Sequence, residues 1–395
     1  MSHLFSTVTS APPDAILGLN EAFNADANPD KVNLTVGVYK DEHGVTPILD
    51  SVKRAEKRLL EDETTKGYLA IDGLPDYQDR VREMVFGDVV SSDRVAVVQS
   101  PGGTGGLRIA GGFLQANLPA TRLWMPNPTW ANHSAVFAGA GVATETYRYL
   151  GADRTAFDLD GMLEDLGNAN VGDAVLLHGC CHNPTGIDPA PEDWKAIADA
   201  VRDRGLLPLV DFAYQGFGDG LEQDALGLRT VLGEVDEAIV CSSFSKNFGL
   251  YSERVGALAL VAADQSQRDA SRSQLKKIVR TIYSNPPRHG GSIVATILGD
   301  DSLTAQWKVE LEAMRTRITS LRESFVAGMK QAGKDFSFLL NQRGMFSFSG
   351  LTPMQVDELR SKHSIYIVGS GRINVAGLTE AKMQLVCDAV ASVMS

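Results

Sequence analysis

Ala238-Ile-Val-Cys-Ser-Ser-Phe-Ser-Lys-Asn-Phe-Gly-Leu-Tyr-Ser-Glu-Arg254 runs from an apolar stretch into small polar residues around one lysine, with an arginine eight residues further on. Its opening, Ala238-Ile-Val-Cys241, reads as a buried strand, and the polar remainder as the segment at that strand's carboxyl end. The same pattern recurs. Val95-Ala-Val-Val98, Leu123-Trp-Met125, Ala174-Val-Leu-Leu-His178, Leu206-Leu-Pro-Leu-Val210 and Leu258-Ala-Leu-Val261 are further strand candidates. Between two of them, Trp194, Ile197, Ala198 and Val201 mark one face of a helix. Strands alternating with helical periodicity from about residue 50 to 260 imply βαβ units, an α/β class and a mostly parallel sheet.

In such sheets ligands bind beyond the carboxyl ends of the strands. Five polar segments follow those ends: Gly102–Thr104, Asn127–Trp130, His182–Asn183, Asp211–Tyr214 and Ser243–Lys246. Lys246 suits an amine that must form an imine with an aldehyde, because a dry, cationic pocket keeps it partly deprotonated. Gly102-Gly103-Thr104-Gly105-Gly106 opens a helix, and free N–H groups at a helix start attract anions. Gly103 and Thr104, with Ser243 and a bidentate Arg254, read as a phosphate cradle. Asp211 would meet a pyridine nitrogen and keep it protonated. His133 would polarise that aspartate, and Trp130 would stack on the ring. Asn183 and Tyr214 would donate to a phenolate oxygen, which favours its ionised form. Arg372 would grip an α-carboxylate, and Arg280 a second one. Together these groups describe a site for pyridoxal phosphate.

Composition narrows the alternatives. With 395 residues and 44% hydrophobic content, the chain is long enough for two subdomains. A formal net charge of −12 argues against nucleic acid as main partner. The four cysteines include the adjacent pair Cys180-Cys181 but no Cys-x-x-Cys spacing, so reduced buried thiols and no metal are expected. No signal peptide or apolar membrane span is read, and a cytoplasmic protein is expected. Ser-Asp-Asn, Lys-Thr-Gly, Gly-x-Ser-x-Gly and phosphate-loop motifs are absent, which removes β-lactamase-type, hydrolase and nucleotide-binding readings. Asp14 is expected to cap a helix reaching about Asn24, with Ile16, Leu17, Leu19 and Phe23 on its apolar side. A long helix is expected from about Thr304 to Ala332. Met345–Gly350 and Ser370–Val375 read as strands of the tail.

Ser243-Phe-Ser-Lys-Asn-Phe-Gly-Leu-Tyr-Ser-Glu-Arg254, His178-Gly-Cys-Cys-His-Asn-Pro-Thr-Gly186 and Asp211-Phe-Ala-Tyr-Gln-Gly216 resemble the class I aminotransferases of fold type I, in the aspartate and aromatic amino acid subgroup. The resemblance extends from Val36-Gly-Val-Tyr-Lys-Asp41 to Ser370-Gly-Arg372. It implies a large domain built on a seven-stranded sheet and a smaller α/β domain. The expected division is an arm at 1–13, small-domain residues 14–45, a large cofactor-binding domain 46–305, and small-domain residues 306–395.

The resemblance also implies that Lys246 is the Schiff-base lysine and the acid–base group of a ping-pong transamination. Gly37 would help close the pocket on the substrate carboxylate. Tyr68 and Arg280 would act in the site of a neighbouring subunit of a homodimer. Thr104, Lys40 and Asn285 look like the dicarboxylate-selective members, whereas Gly67 and Arg288 depart from the usual pattern near the entrance. Aspartate with 2-oxoglutarate is therefore the leading substrate pair, and a broad aromatic aminotransferase the alternative. A non-catalytic sensor module of a transcription regulator is not expected, since the fold is read as beginning near Met1 and the chain is acidic.

Overall fold

The computed structural model describes residues 3–11 and 17–394. Strand β1 (Val32–Asn33) precedes the main sheet, whose strands are β2 (Val95–Pro101), β3 (Arg122–Asn127), β4 (Ala143–Arg148), β5 (Ala174–His178), β6 (Leu207–Phe212), β7 (Ala238–Ser243) and β8 (Val255–Val261). They lie in the order β2-β8-β7-β6-β5-β3-β4, parallel throughout except that β8 runs antiparallel to both its neighbours. The architecture is the α/β one expected.

The apolar runs explain the sheet's central position. Leu176, Leu209 and Ile239 enter one buried layer, while Val175, Leu177, Val210 and Val240 enter the layer on the opposite face. Strands covered on both faces lose their alternation and read as continuous apolar runs. β4 escaped the sequence reading for the converse reason. It is an edge strand, Ala-Thr-Glu-Thr-Tyr-Arg, of which only Tyr147 is buried. Its apolar signal is a single residue.

Helices cover the layers. Pro191–Asp203 opens with proline and buries Trp194, Ile197, Ala198 and Val201, while the Asp193 carboxylate accepts the Ala190 N–H at 2.8 Å. Asp301–Gln331 begins at Asp300, whose side chain accepts the Leu303 N–H. Its buried stripe includes Leu303, Trp307, Leu311, Met314, Ile318, Leu321, Phe325 and Met329, at steps of three and four. Trp307 stacks on Phe248 at 4.3 Å and donates its indole N–H to the Asn247 carbonyl at 2.8 Å. The long helix thereby fixes the segment next to Lys246.

The tail folds with the beginning of the chain. β9 (Phe346–Phe348), β10 (Ile365–Tyr366) and β11 (Arg372–Asn374) complete the strands among the described residues. β1 pairs in parallel with β10, and β9 with β11 in antiparallel register. The first helix beyond the arm is Leu17–Ala25; Asp14 and Ile16 lie outside the described residues. In the arm, Leu4–Thr7 makes one 3-10 turn, stapled by the Ser6 hydroxyl on the His3 carbonyl.

Candidate active site

Strand register sets the floor of the site. His178 of β5, Asp211 of β6 and Cys241 of β7 are neighbours across the sheet. Asp211 therefore lies inside β6, which runs on to Phe212, rather than beyond the Val210 end expected from sequence. Its Oδ2 is 3.1 Å from His133 Nε2. His133 Nδ1 in turn is 2.8 Å from the Thr129 hydroxyl, which is 3.0 Å from His178 Nε2. With the His133 Nε2–H donated to the carboxylate, the Thr129 hydroxyl can donate to His133 Nδ1 and accept from His178 Nε2–H.

Burial keeps His178 neutral, its pKa pushed down to about 3. Burial also opposes ionisation of Asp211. The hydrogen bond from His133 leads the causes that outweigh it, with the Lys246 charge adding to it, so the carboxyl sits below its ordinary range.

A cavity of about 200 Å³ lies over this floor. It is lined by Gly37, Gly103, Thr104, Trp130, Asn183, Asp211, Tyr214, Ser243, Lys246, Arg254 and Arg372, all singled out from sequence. Burial lowers the Lys246 pKa to about 8, with Asp211 acting to raise it and Arg254 to lower it. The amine stands 5.2 Å from the centre of the Tyr214 ring. Tyr214 stays protonated: burial and then Asp211 raise its pKa, against Arg372 and a 3.4 Å hydrogen bond from the Asn183 amide.

At one end of the cavity the helix Gly102–Asn117 begins. Gly102 has φ 71, and a Cβ there would lie 2.4 Å from Arg254 Nη2, so only glycine lets the guanidinium lie over the helix start. Arg254 donates to the Ser245 hydroxyl and the Tyr251 carbonyl. No carboxylate holds it among the described residues.

At the other end Arg372 is 4% exposed. It donates to Asn183 Oδ1 at 3.3 Å and to the Thr35 carbonyl at 2.5 Å, lies 4.3 Å over the Phe346 ring, and leaves Nε without a partner. Burial draws its pKa down to about 10, and Tyr214 partly opposes this, so it is cationic at neutral pH. A buried cation with an unused donor is an incomplete ion pair. Gly37 lies against Phe346; a Cβ would meet the ring at 2.6 Å.

Two expected residues are elsewhere. Tyr68 is 93% exposed. Arg280, also exposed, donates to the hydroxyl of Ser284 on its own segment. Neither lines the cavity. Conversely, sequence reading gave no role to Thr129, His178 or Tyr251. The Tyr251 hydroxyl accepts the Tyr39 N–H at 2.8 Å and ties the lysine segment to the N-terminal one. Thr129, four residues before His133, and His178, a histidine closing a buried strand, were the available signals.

The family model for aminotransferase class I and II matches residues 29–390. An aspartate aminotransferase of Escherichia coli is 51% identical over 396 residues, covering 99% of this chain and all of that one. An aromatic-amino-acid aminotransferase of Pseudomonas aeruginosa is 48% identical over 398 residues, covering 100% of this chain and 99% of its own length. The crystal structure of an aromatic-amino-acid aminotransferase from Burkholderia pseudomallei, covalently bound to pyridoxal phosphate, superposes with a TM-score of 0.97 at 45% identity over the whole of both chains. A free amine, an ionised carboxylate, an anion cradle and an unsatisfied arginine thus converge in one cavity on a backbone shared end to end with these relatives, and the chain belongs to the aminotransferase class I and II family.

Proposed function

We propose that this protein is a pyridoxal phosphate-dependent transaminase that moves an amino group between aspartate, or a similar dicarboxylic amino acid, and a 2-oxo acid such as 2-oxoglutarate, by a ping-pong mechanism. The observation that carries the proposal is the placement of Lys246, Asp211 and Arg372 around one cavity. The residues fit the cofactor: the Gly102–Thr104 helix start with Ser243 and Arg254 for its phosphate, Asp211 for its ring nitrogen, Trp130 beside the ring, and Asn183 with Tyr214 for its phenolic oxygen. Bound there, it supplies an aldehyde and an electron-withdrawing ring.

The chain's own residues do the rest. Lys246 Nζ, titrating near about 8, can both take and return a proton close to neutral pH. Asp211, held ionised by His133, keeps a fixed negative charge on the floor. Arg372 orients the substrate through its α-carboxylate, with Nε supplying the donor that the protein leaves unused. Gly37 and Phe346 cover that end of the cavity and exclude water.

The unit made of residues 14–45 and 306–395 is read as the domain that closes on substrate. Tyr68 and Arg280, which do not line this chain's cavity, are assigned to the cavity of a second copy in a homodimer. The exposed apolar side chains of Leu4 and Phe5 in the arm suit packing against that copy. No helix among the described residues is long and apolar enough to cross a membrane, and a cytoplasmic location is proposed.

Thr104, Lys40 and Asn285 favour dicarboxylates, as does the aspartate aminotransferase relative. The alternative reading, with aromatic donors, rests on the departure from the usual pattern at Gly67, where an added Cβ would meet nothing nearer than the Thr65 hydroxyl at 3.5 Å. Mixing cofactor-loaded enzyme with aspartate and, separately, with phenylalanine in a stopped-flow spectrometer discriminates. Fast bleaching of the cofactor's visible band by aspartate and slow bleaching by phenylalanine is expected. Comparable rates establish the aromatic reading, and no bleaching by either overturns both.

A further inference from the structure

A second cavity of about 310 Å³ shares no lining residue with the catalytic one, and its lining includes Cys180, Asp224 and Arg343. We propose that Cys180, Cys181 and Asp224 form a binding site for one thiophilic divalent cation of the zinc type, with this cavity supplying its entry path and a water as fourth ligand. All three residues are buried, and one ligand atom from each, Sγ, Sγ and a carboxylate oxygen, lies within 4.8 Å of the others. Tetrahedral zinc holds thiolates at about 2.3 Å and carboxylate oxygens at about 2.0–2.2 Å, so its ligand atoms are roughly 3.5–4 Å apart. The set closes around an ion by side-chain adjustment alone.

The backbone has already done the costly part. Adjacent residues of an extended strand point to opposite faces. Cys181 instead has φ 51, in the left-handed region, and this turns its side chain to the same side as that of Cys180. Asp224 is equally fixed: Oδ2 accepts the N–H groups of Gly216 and Gly218, and Oδ1 that of Asp219. A carboxylate oxygen accepts two bonds, so Oδ1 keeps one lone pair for a metal.

Charge is also provided for. Two thiolates and a carboxylate around a divalent cation leave one negative charge. Arg322, 5% exposed and acting electrostatically on Cys181, donates only to the neutral Ser347 hydroxyl and Gly344 carbonyl. It has no carboxylate partner among the described residues. An occupied site would tie the loop that carries Asn183, two residues after Cys181, to the Gly216–Asp224 loop that follows Tyr214. It would thereby stiffen one wall of the catalytic cavity without contacting substrate.

The test uses metal-depleted, pyridoxal phosphate-loaded enzyme kept reduced with a phosphine. Titration with Co²⁺ should bind one equivalent per chain with a thiolate-to-metal charge-transfer band and the intense visible bands of tetrahedral cobalt, both lost on adding Zn²⁺. Cys180→Ser and Cys181→Ser should each weaken binding at least about tenfold, and the double variant should abolish the band. Cys387→Ala, at a cysteine on the helix Glu380–Val393, should leave it intact. If Asp224→Asn fails to fold, because three backbone N–H groups depend on that carboxylate, the cysteine variants decide alone. Absence of the charge-transfer band in the unaltered enzyme, or its survival in the double cysteine variant, overturns the proposal.

Discussion

The back and the front of the catalytic cavity are built in opposite ways. At the back, Asp211, His133, Thr129 and His178 form a continuous chain of three hydrogen bonds drawn from two strands, a helix start and the loop before it. At the front, Arg372 has one donor unused, while Tyr68 stands 93% exposed and Arg280 reaches only Ser284 beside it, neither of these two lining the cavity. The contrast separates two tasks. Chemistry needs groups whose charge is fixed before substrate arrives, and a single chain can supply them from rigid strands. Substrate recognition, as proposed, falls to residues that the chain itself leaves short of partners.

The largest effect that can break this division is at Lys246. Lys246→Ala should lower single-turnover amino transfer from aspartate by at least about 10⁴-fold, read from cofactor absorbance, because no other amine lines the cavity. Retention of more than a hundredth of the rate would move the chemistry elsewhere.

Asp211→Asn comes next, with an expected loss of about 10²–10³-fold in kcat. It carries a second signature. Asp211 raises the pKa of Lys246, so removing its charge should shift the reactivity of the lysine in cofactor-free protein to lower pH. Measured as the rate of acylation of Lys246 against pH, the unaltered midpoint should fall near about 8: below it the amine is protonated and inert, above it free. Arg254→Gln should move the midpoint the other way, since that arginine lowers it.

Arg372→Leu should act mainly on binding, raising KM for aspartate by about 10²-fold through loss of a charge-assisted pair, with kcat falling less. Steady-state kinetics with a donor lacking the α-carboxylate, which should be insensitive to the change, checks the assignment.

The smallest effect sharpens the front. Arg280→Glu alone should chiefly disfavour dicarboxylic donors, by about tenfold or more in kcat/KM. Unfolded together and reassembled, chains carrying Arg280→Glu and chains carrying Lys246→Ala should regain activity, because a hybrid dimer holds one site free of both changes. Failure to regain it would place Arg280 within its own chain's site.

Much of the back wall was legible because it obeys strand rules. Buried parallel strands announce themselves as apolar runs, and their carboxyl ends mark the ligand edge, so Lys246, Asp211, Asn183 and Ser243 could be picked out by position. β4 was missed because an edge strand with one buried residue carries no such run. His178 was missed as a partner because its bond to Thr129, and through it the link to His133, depends on how the folded chain places the β5 end and not on sequence distance. Likewise Cys180 and Cys181 lacked metal spacing in the sequence; Asp224, more than forty residues on, joins them only through folding.

What the sequence determined by itself was the class of fold and the set of groups that chemistry requires, since periodicity and residue type are local properties. The tertiary structure alone decided which of those groups are satisfied. His133 and Asp211 complete each other, Arg372 is left one partner short, and Tyr68 and Arg280 do not line the cavity. Hydrogen bonds and charge interactions act over a few ångströms in space, between residues as far apart along the chain as Thr35 and Arg372, and only the folded backbone sets those distances.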